Sequence, residues 1–152
     1  MDILEQIRDD HEQARQIMEK MAHTGDRAPK NKREQFSKLK SILNPHIKAE
    51  EEVFYPILLE SEDAREHMLE ALEEHHIADI MLNELQDNID SPDQERWQAK
   101  FSVFRTILEY HMDEEEGETF DYAQDLLSDD QLQDLGETFV EQKQSVEAAL
   151  AR

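Results

Sequence analysis

Four histidines and two glutamates recur at spacings that carry chemistry: His11, the pair His46 and Glu50, His75, and the pair His111 and Glu115. Residues four apart share one face of a helix, roughly 6 Å apart along its axis, so each His-x3-Glu pair aims an imidazole and a carboxylate the same way. A lone pair of this kind is usually a surface ion pair or hydrogen bond. Two such pairs, each accompanied by a further histidine, form the donor set of a carboxylate-bridged dinuclear metal centre, with two bridging glutamates and two imidazoles per metal. That nitrogen and oxygen environment suits iron, manganese or zinc and leaves positions for water, hydroxide or a small ligand. It does not suit a calcium cage, whose ligands are all oxygen.

The elements that must position these groups are helices. Only 3 Gly and 4 Pro, with much Glu, Gln, Leu, Ala, Arg and Lys, favour helix over strand. Apolar spacing predicts a first helix over 3–23, a loop over 24–31 and a second helix over 32–59 bent at Pro45. A third follows over 62–89 with Ser61 as its cap. A fourth runs over 92–127 behind Ser91-Pro92, with Gly117 loosening it after the ligand pair. Ser128 caps an extra helix over 129–150 bearing Leu132, Leu135, Phe139, Val146 and Leu150. The expected fold is all-α, an antiparallel up-down four-helix bundle over about 3–127 plus this C-terminal helix, in one domain spanning 1–152.

In such a bundle the layer of a side chain is its distance from one end. At 1.5 Å per residue, His11 lies about 12 Å in, His46 and Glu50 roughly 14 to 20 Å, His75 roughly 20 Å, and Glu115 and His111 roughly 18 to 24 Å. All six fall in one slab, which surface residues have no reason to do. Buried histidines and carboxylates in a core need a compensating cation. An internal repeat supports the register: His11, Ala14, Ile17, Met18 and Met21 match His75, Ala78, Met81, Leu82 and Leu85, and that alignment selects His75 over His76.

The chain carries 16 basic and 38 acidic residues, a net charge of −22, which repels phosphate backbones and anionic lipid; no nucleic-acid or membrane partner is expected. Most of that excess reads as solvated surface. Zero cysteines exclude disulfides, thiolate zinc sites, iron–sulfur ligation and cysteine nucleophiles. Met1-Asp2-Ile3-Leu4-Glu5 lacks the character of a signal peptide, so a soluble cytoplasmic protein is expected.

The segments Asp10-His11-Glu12, Pro45-His46-Ile47-Lys48-Ala49-Glu50-Glu51-Glu52, Glu74-His75 and His111-Met112-Asp113-Glu114-Glu115-Glu116-Gly117-Glu118 stand where hemerythrin-like HHE cation-binding domains place their metal ligands. The chain resembles that family over about 3–127. The resemblance implies four terminal histidines, His11, His46, His75 and His111, with Glu50 and Glu115 bridging two irons per chain. Oxygen-carrying hemerythrins have a second histidine where this chain has Asp79, and His-x4-Asp where it has His111-x3-Glu115. The site therefore resembles the symmetrical four-histidine, two-glutamate version associated with iron sensing, nitric-oxide responses and iron–sulfur repair. The leading expectation is a non-haem di-iron protein that binds, senses or reacts with oxygen, nitric oxide or peroxide, turnover being left open. The alternative is an iron-sensing or iron-delivery module without turnover, whose protein partner would be a separate chain. A metal-free structural bundle is the third reading.

Several residues carry weaker expectations. Asp79 is read first as a hydrogen-bond acceptor for a ligand, and Glu51 and Glu116 either as such acceptors or as solvated. Tyr55 and Tyr110 adjoin ligand segments and are read as core or rim packing. His67 and His76 are read as surface residues, His23 as a helix-end partner of terminal carbonyls, and the methionines as core filler. The last helix either covers the bundle or forms a dimer interface, giving a monomer or homodimer.

Overall fold

The computed structural model describes residues 1–24 and 29–151. Helix α1 covers Ile3–Thr24. Helix α2, Pro29–Ala49, runs into a π-helical segment, Glu50–Phe54, and then α3, Tyr55–Leu59. Helix α4 spans Glu62–Asp87. Helix α5, Gln94–Glu114, repeats the pattern with a π-helical segment, Glu115–Thr119, followed by α6, Phe120–Leu126. Helix α7 is Asp129–Leu150. Four rods thus form the up-down bundle, and α7 lies across α1, α2 and the first π segment. Among the described residues no helix is long and apolar enough to cross a membrane.

Element boundaries moved where local chemistry outweighed apolar spacing. Of the loop expected over 24–31, Pro29 to Asn31 already belong to α2, because a proline at the first helical position forfeits an N–H that has no partner there anyway; residues 25–28 lie outside the described residues. Helix α5 starts at Gln94 rather than Pro92. Its cap is Asp93, whose side chain accepts from Arg96 N at 3.0 Å, while Ser91 Oγ accepts from Asp93 N at 3.2 Å. Ser61 has the extended backbone of a cap but no capping hydrogen bond. Ser128 makes a full capping box with Gln131.

The second and fourth rods widen at the ligand pairs, and α2 stays α-helical through Pro45. Tyr55 N–H donates to Glu50 O, and Phe120 N–H to Glu115 O, so each π turn begins at a glutamate of a His-x3-Glu pair. Gly117 sits inside the second of these turns.

The apolar interior is two clusters with the histidines and glutamates between them. Ile3, Ile7, Phe54, Leu58, Met68 and Phe139 belong to one. Met18, Phe36, Leu39, Leu82, Trp97 and Phe104 belong to the other. Along α1, Ile3 and Ile7 precede His11 and Ala14 and Met18 follow it; along α4, Met68 and Ala71 precede His75 and Ala78 and Leu82 follow it. A helical period that stays apolar on both sides of one histidine puts that histidine in the core.

Helix α7 reaches the bundle through Leu132, Gly136, Phe139 and Val146, all buried, while Leu150 at its end is exposed. A Cβ on Gly136 would stand 2.5 Å from Met1 O and 2.9 Å from Asp2 C, both backbone atoms that cannot swing aside. Gly136→Ala is therefore expected to cost about 1–3 kcal/mol in thermal unfolding. Gly117, with nothing within 4 Å of its would-be Cβ, is the control: Gly117→Ala is expected to be neutral or to stabilise by up to about 1 kcal/mol. Equal effects of the two substitutions would refute this docking of α7.

Candidate metal centre

Each rod delivers its donors from the middle of the bundle. α1 brings His11, α2 brings His46 and its π segment Glu50, α4 brings His75, α5 brings His111 and its π segment Glu115; all six are buried. Their donor atoms form two convergent groups. One atom from each of His11, His46, Glu50 and Glu115 lies within 4.8 Å of the others, and so do atoms of Glu50, His75 and His111. All six sequence-predicted residues meet, and Glu50 belongs to both groups.

These atoms crowd together without satisfying one another. His46 Nε2 lies 2.9 Å from Glu50 Oε1 and His11 Nε2 3.0 Å from Glu115 Oε1. Yet His11 Nε2, both oxygens of Glu50 and Glu115 Oε1 make no hydrogen bond, because the close approaches are off the hydrogen-bonding direction. Lone pairs aimed at shared points rather than at each other are what a cation needs. The buried histidine and glutamate clusters suit metal binding, and the residues present fit a metal.

Each imidazole turns its other nitrogen to an outer carboxylate. His46 Nδ1 donates to Asp10 at 2.9 Å, His111 Nδ1 to Glu74 at 2.7 Å, His11 Nδ1 to Glu116 at 3.1 Å and His75 Nδ1 to Glu51 at 3.3 Å. Such partners set the tautomer and orientation of a metal-binding histidine and raise its basicity. Asp79, the acceptor expected from sequence, is exposed and lines a cleft beside His75, whose Nδ1 is taken by Glu51. Asp10 and Glu74 were missed, although the repeat held the signal. Both immediately precede a predicted histidine, and each serves the histidine of the next rod.

Tyr55 packs in the core as expected, and its hydroxyl also reaches the centre. Its ring is fully buried and stacks on His75 with centroids 5.1 Å apart. Its hydroxyl donates to Glu115 and lies 3.3 Å from His75 Nε2 and 3.4 Å from His111 Nε2. Five residues after Glu50, an α-helix would put it about 140° off. The i to i+5 turn that begins at Glu50 narrows that offset. Tyr110, by contrast, is exposed. His76 is exposed as expected, and exposed His23 pairs with Glu19 at 2.7 Å rather than with helix-end carbonyls.

The electrostatics follow from burial opposed by neighbouring charge. Burial works to lower the pKa of His46, but Glu50 and Asp10 outweigh it and push it up to about 10. Burial is likewise outweighed at His75, where Glu50 and Glu51 raise the pKa to about 9. At Glu116 burial favours the neutral acid, yet His11 and Arg15 bring it down to about 2. Burial and the charges of Glu115 and Glu50 push Tyr55 well up, so its phenol stays protonated.

The two ends of the centre differ in cover. Glu116 is held by Arg15 at 2.5 Å and Arg8 at 3.4 Å, and Asp10 by Lys143 of α7 at 2.8 Å. Phe139 of α7 packs edge-on against His46. The His75 end meets a cleft of about 440 Å³ lined by Glu51, Glu52, His76 and Asp79.

A family model described as Hemerythrin HHE cation binding domain matches residues 2–123. A crystal structure of a hemerythrin HHE cation-binding domain-containing protein from Mycobacterium kansasii is similar with a TM-score of 0.83 and 21% identity, covering 98% of this chain and 89% of that one. At that identity the likeness carries the fold alone, and its coverage takes in α7. No curated protein matches the chain.

Protons and metal should compete for this centre. The raised pKa values of His46 and His75 stabilise the metal-free fold fully below pH 6.5, and that contribution is lost as pH rises through about 9 and then about 10. Burial is outweighed at His11 too, where Glu115 and Glu116 raise the pKa, so loading with zinc at pH 7 should release at least about two protons per chain. Calorimetry in buffers of different ionisation enthalpy reads the number, and no release would mean that these imidazoles are neutral in the metal-free protein.

Proposed function

The chain belongs to the hemerythrin HHE cation-binding domain family, and from that premise we propose that it is a non-haem di-iron protein that binds, senses or reacts with a small molecule such as oxygen, nitric oxide or peroxide. The observation that carries the reading is the sharing of Glu50 between two convergent groups, which supports two adjacent cations rather than one. His11 and His46 would hold one ion, His75 and His111 the other, with Glu50 and Glu115 between them. Bound iron supplies exchangeable coordination positions and one-electron chemistry there. Manganese or zinc fits the same donors.

The chain's own residues then divide the work. Asp10, Glu74, Glu116 and Glu51 each accept the Nδ1 proton of one histidine, which leaves Nε2 free to face the centre. Arg8 and Arg15 pair with Glu116, and Lys143 with Asp10, at the His11 and His46 end. Tyr55 places a hydroxyl proton on Glu115 beside His75 and His111, the end nearest the cleft. His75 lines the cleft and Tyr55 stacks on it, so a small molecule bound at that end would lie near this donor.

A second reading, an iron-sensing or iron-delivery module without turnover, is favoured by one contact chain. Lys143 Nζ reaches Asp10 at 2.8 Å, and Asp10 holds His46 at 2.9 Å, so α7 touches the partner of a proposed ligand. On this reading, metal loading slows backbone hydrogen exchange in α7 around Phe139 and Lys143. Identical exchange in metal-free and loaded protein would remove its basis.

For the leading reading, the protein is reconstituted anaerobically with ferrous iron and exposed in turn to oxygen, nitric oxide and peroxide. The expected result is about two irons per chain and a changed absorption spectrum with at least one of the three. No change with any of them sinks the proposal. Glu50→Ala leaves all four histidines in place and should lower the iron content, and an unchanged stoichiometry would reject Glu50 as a shared ligand.

A further inference from the structure

Outside the centre, one more histidine is built into a donor cluster. His67 on α4 lies with Glu114, the last residue of α5, and Glu118 of the second π segment, one donor atom of each within 4.8 Å of the others. His67 Nδ1 is 2.9 Å from Glu118 Oε2. Its Nε2 pairs with the hydroxyl of buried Thr119 at 2.7 Å, and the Tyr122 ring packs on it with centroids 5.6 Å apart. The imidazole is thus oriented from behind by Thr119 and Tyr122, with Nδ1 facing Glu118. That is the arrangement of a histidine whose second nitrogen sets its tautomer.

The carboxylates are spaced as the ligand pairs of the centre are. Glu114 and Glu118 are four residues apart on one rod, where two like charges destabilise a helix unless something of opposite charge sits by them. His67 meets Glu118 alone. Among the described residues Glu114 makes no hydrogen bond or ion pair, although it stands within donor distance of both others. His67 and Glu114 are half-buried and Glu118 exposed, so the cluster opens to solvent. A chain of net charge −22 draws cations to such an opening.

We propose that His67, Glu114 and Glu118 form a separate, solvent-facing site for a first-row divalent cation such as zinc, manganese or ferrous iron. One imidazole and two carboxylates suit these ions, and the imidazole tells against calcium or magnesium. With three protein donors, the remaining positions go to water, so the ion exchanges freely. His67 stands two turns before His75 on α4, about 12 Å along its axis, and Glu114 adjoins Glu115; the site is close to the buried centre and independent of it.

Zinc titration of the whole protein, with calorimetry and imidazole nitrogen NMR followed together, tests this. The expected result is one binding step beyond those of the centre, accompanied by a shift of the His67 Nδ1 resonance. His67→Gln should weaken that step at least tenfold, and Glu118→Gln, which leaves the imidazole packed on Thr119 and Tyr122, should weaken it as well. Glu50→Ala disrupts the centre and should leave the step and the His67 shift in place, so failure of the central reading would be distinguishable. A His67 resonance unmoved by zinc, or a step equally strong in both outer-site variants, overturns the proposal.

Discussion

Moving an ionised carboxylate from water into a protein interior costs on the order of several kcal/mol unless a cation and hydrogen bonds meet it. Glu50 and Glu115 are both almost wholly buried, between two apolar clusters that would otherwise be one. Much of the structure around them answers that cost. Four imidazoles surround the pair, four outer carboxylates hold the imidazoles, and Arg8, Arg15 and Lys143 meet two of those outer carboxylates. Each buried donor thus has a polar partner further out, which keeps a polar layer tolerable in the middle of a small bundle.

The layer follows the internal repeat of the chain. Asp10 of the first rod serves His46 of the second, and Glu74 of the third serves His111 of the fourth. Glu51 of the second serves His75 of the third, and Glu116 of the fourth serves His11 of the first. Each rod therefore holds the histidine of the next, and the circuit closes. A displacement of any one rod would misplace a histidine on its neighbour, so the ligand geometry and the packing of the bundle are one constraint.

The two halves nevertheless differ where chemistry would need a difference. Each π segment begins at its glutamate, but the residue that follows is Tyr55 in the first half and Phe120 in the second. Among the described residues the first half alone sends a hydroxyl to a central glutamate, Tyr55 to Glu115. Helix α7 covers the side of His46, whereas the cleft lies beside His75. A near-symmetrical donor set thus acquires a closed end and an end near solvent, with Tyr55 at the latter.

Much of this was legible in the sequence, because helical period and donor chemistry are local properties. The apolar spacing specified the rods and the C-terminal helix to within a few residues, and the repeated His-x3-Glu with its preceding histidine picked out the six residues that meet. Spacing along one helix says which side chains share a face, but not which nitrogen or carboxylate on another helix they reach. The outer partners were therefore hidden: Glu51 and Glu116 stood open among many acidic residues, and Asp79 was favoured where Glu51 accepts. Tyr55 was hidden for another reason. Its direction depends on a π turn, which apolar spacing alone does not show; Pro56, at the start of α3, has no N–H to give to the turn before it. His67 looked like a surface residue until the fold brought Thr119 behind it. The sequence by itself determined which donors lie in one layer; the tertiary structure decided which of them touch, because contacts between helices depend on rotation and depth that no single helix encodes.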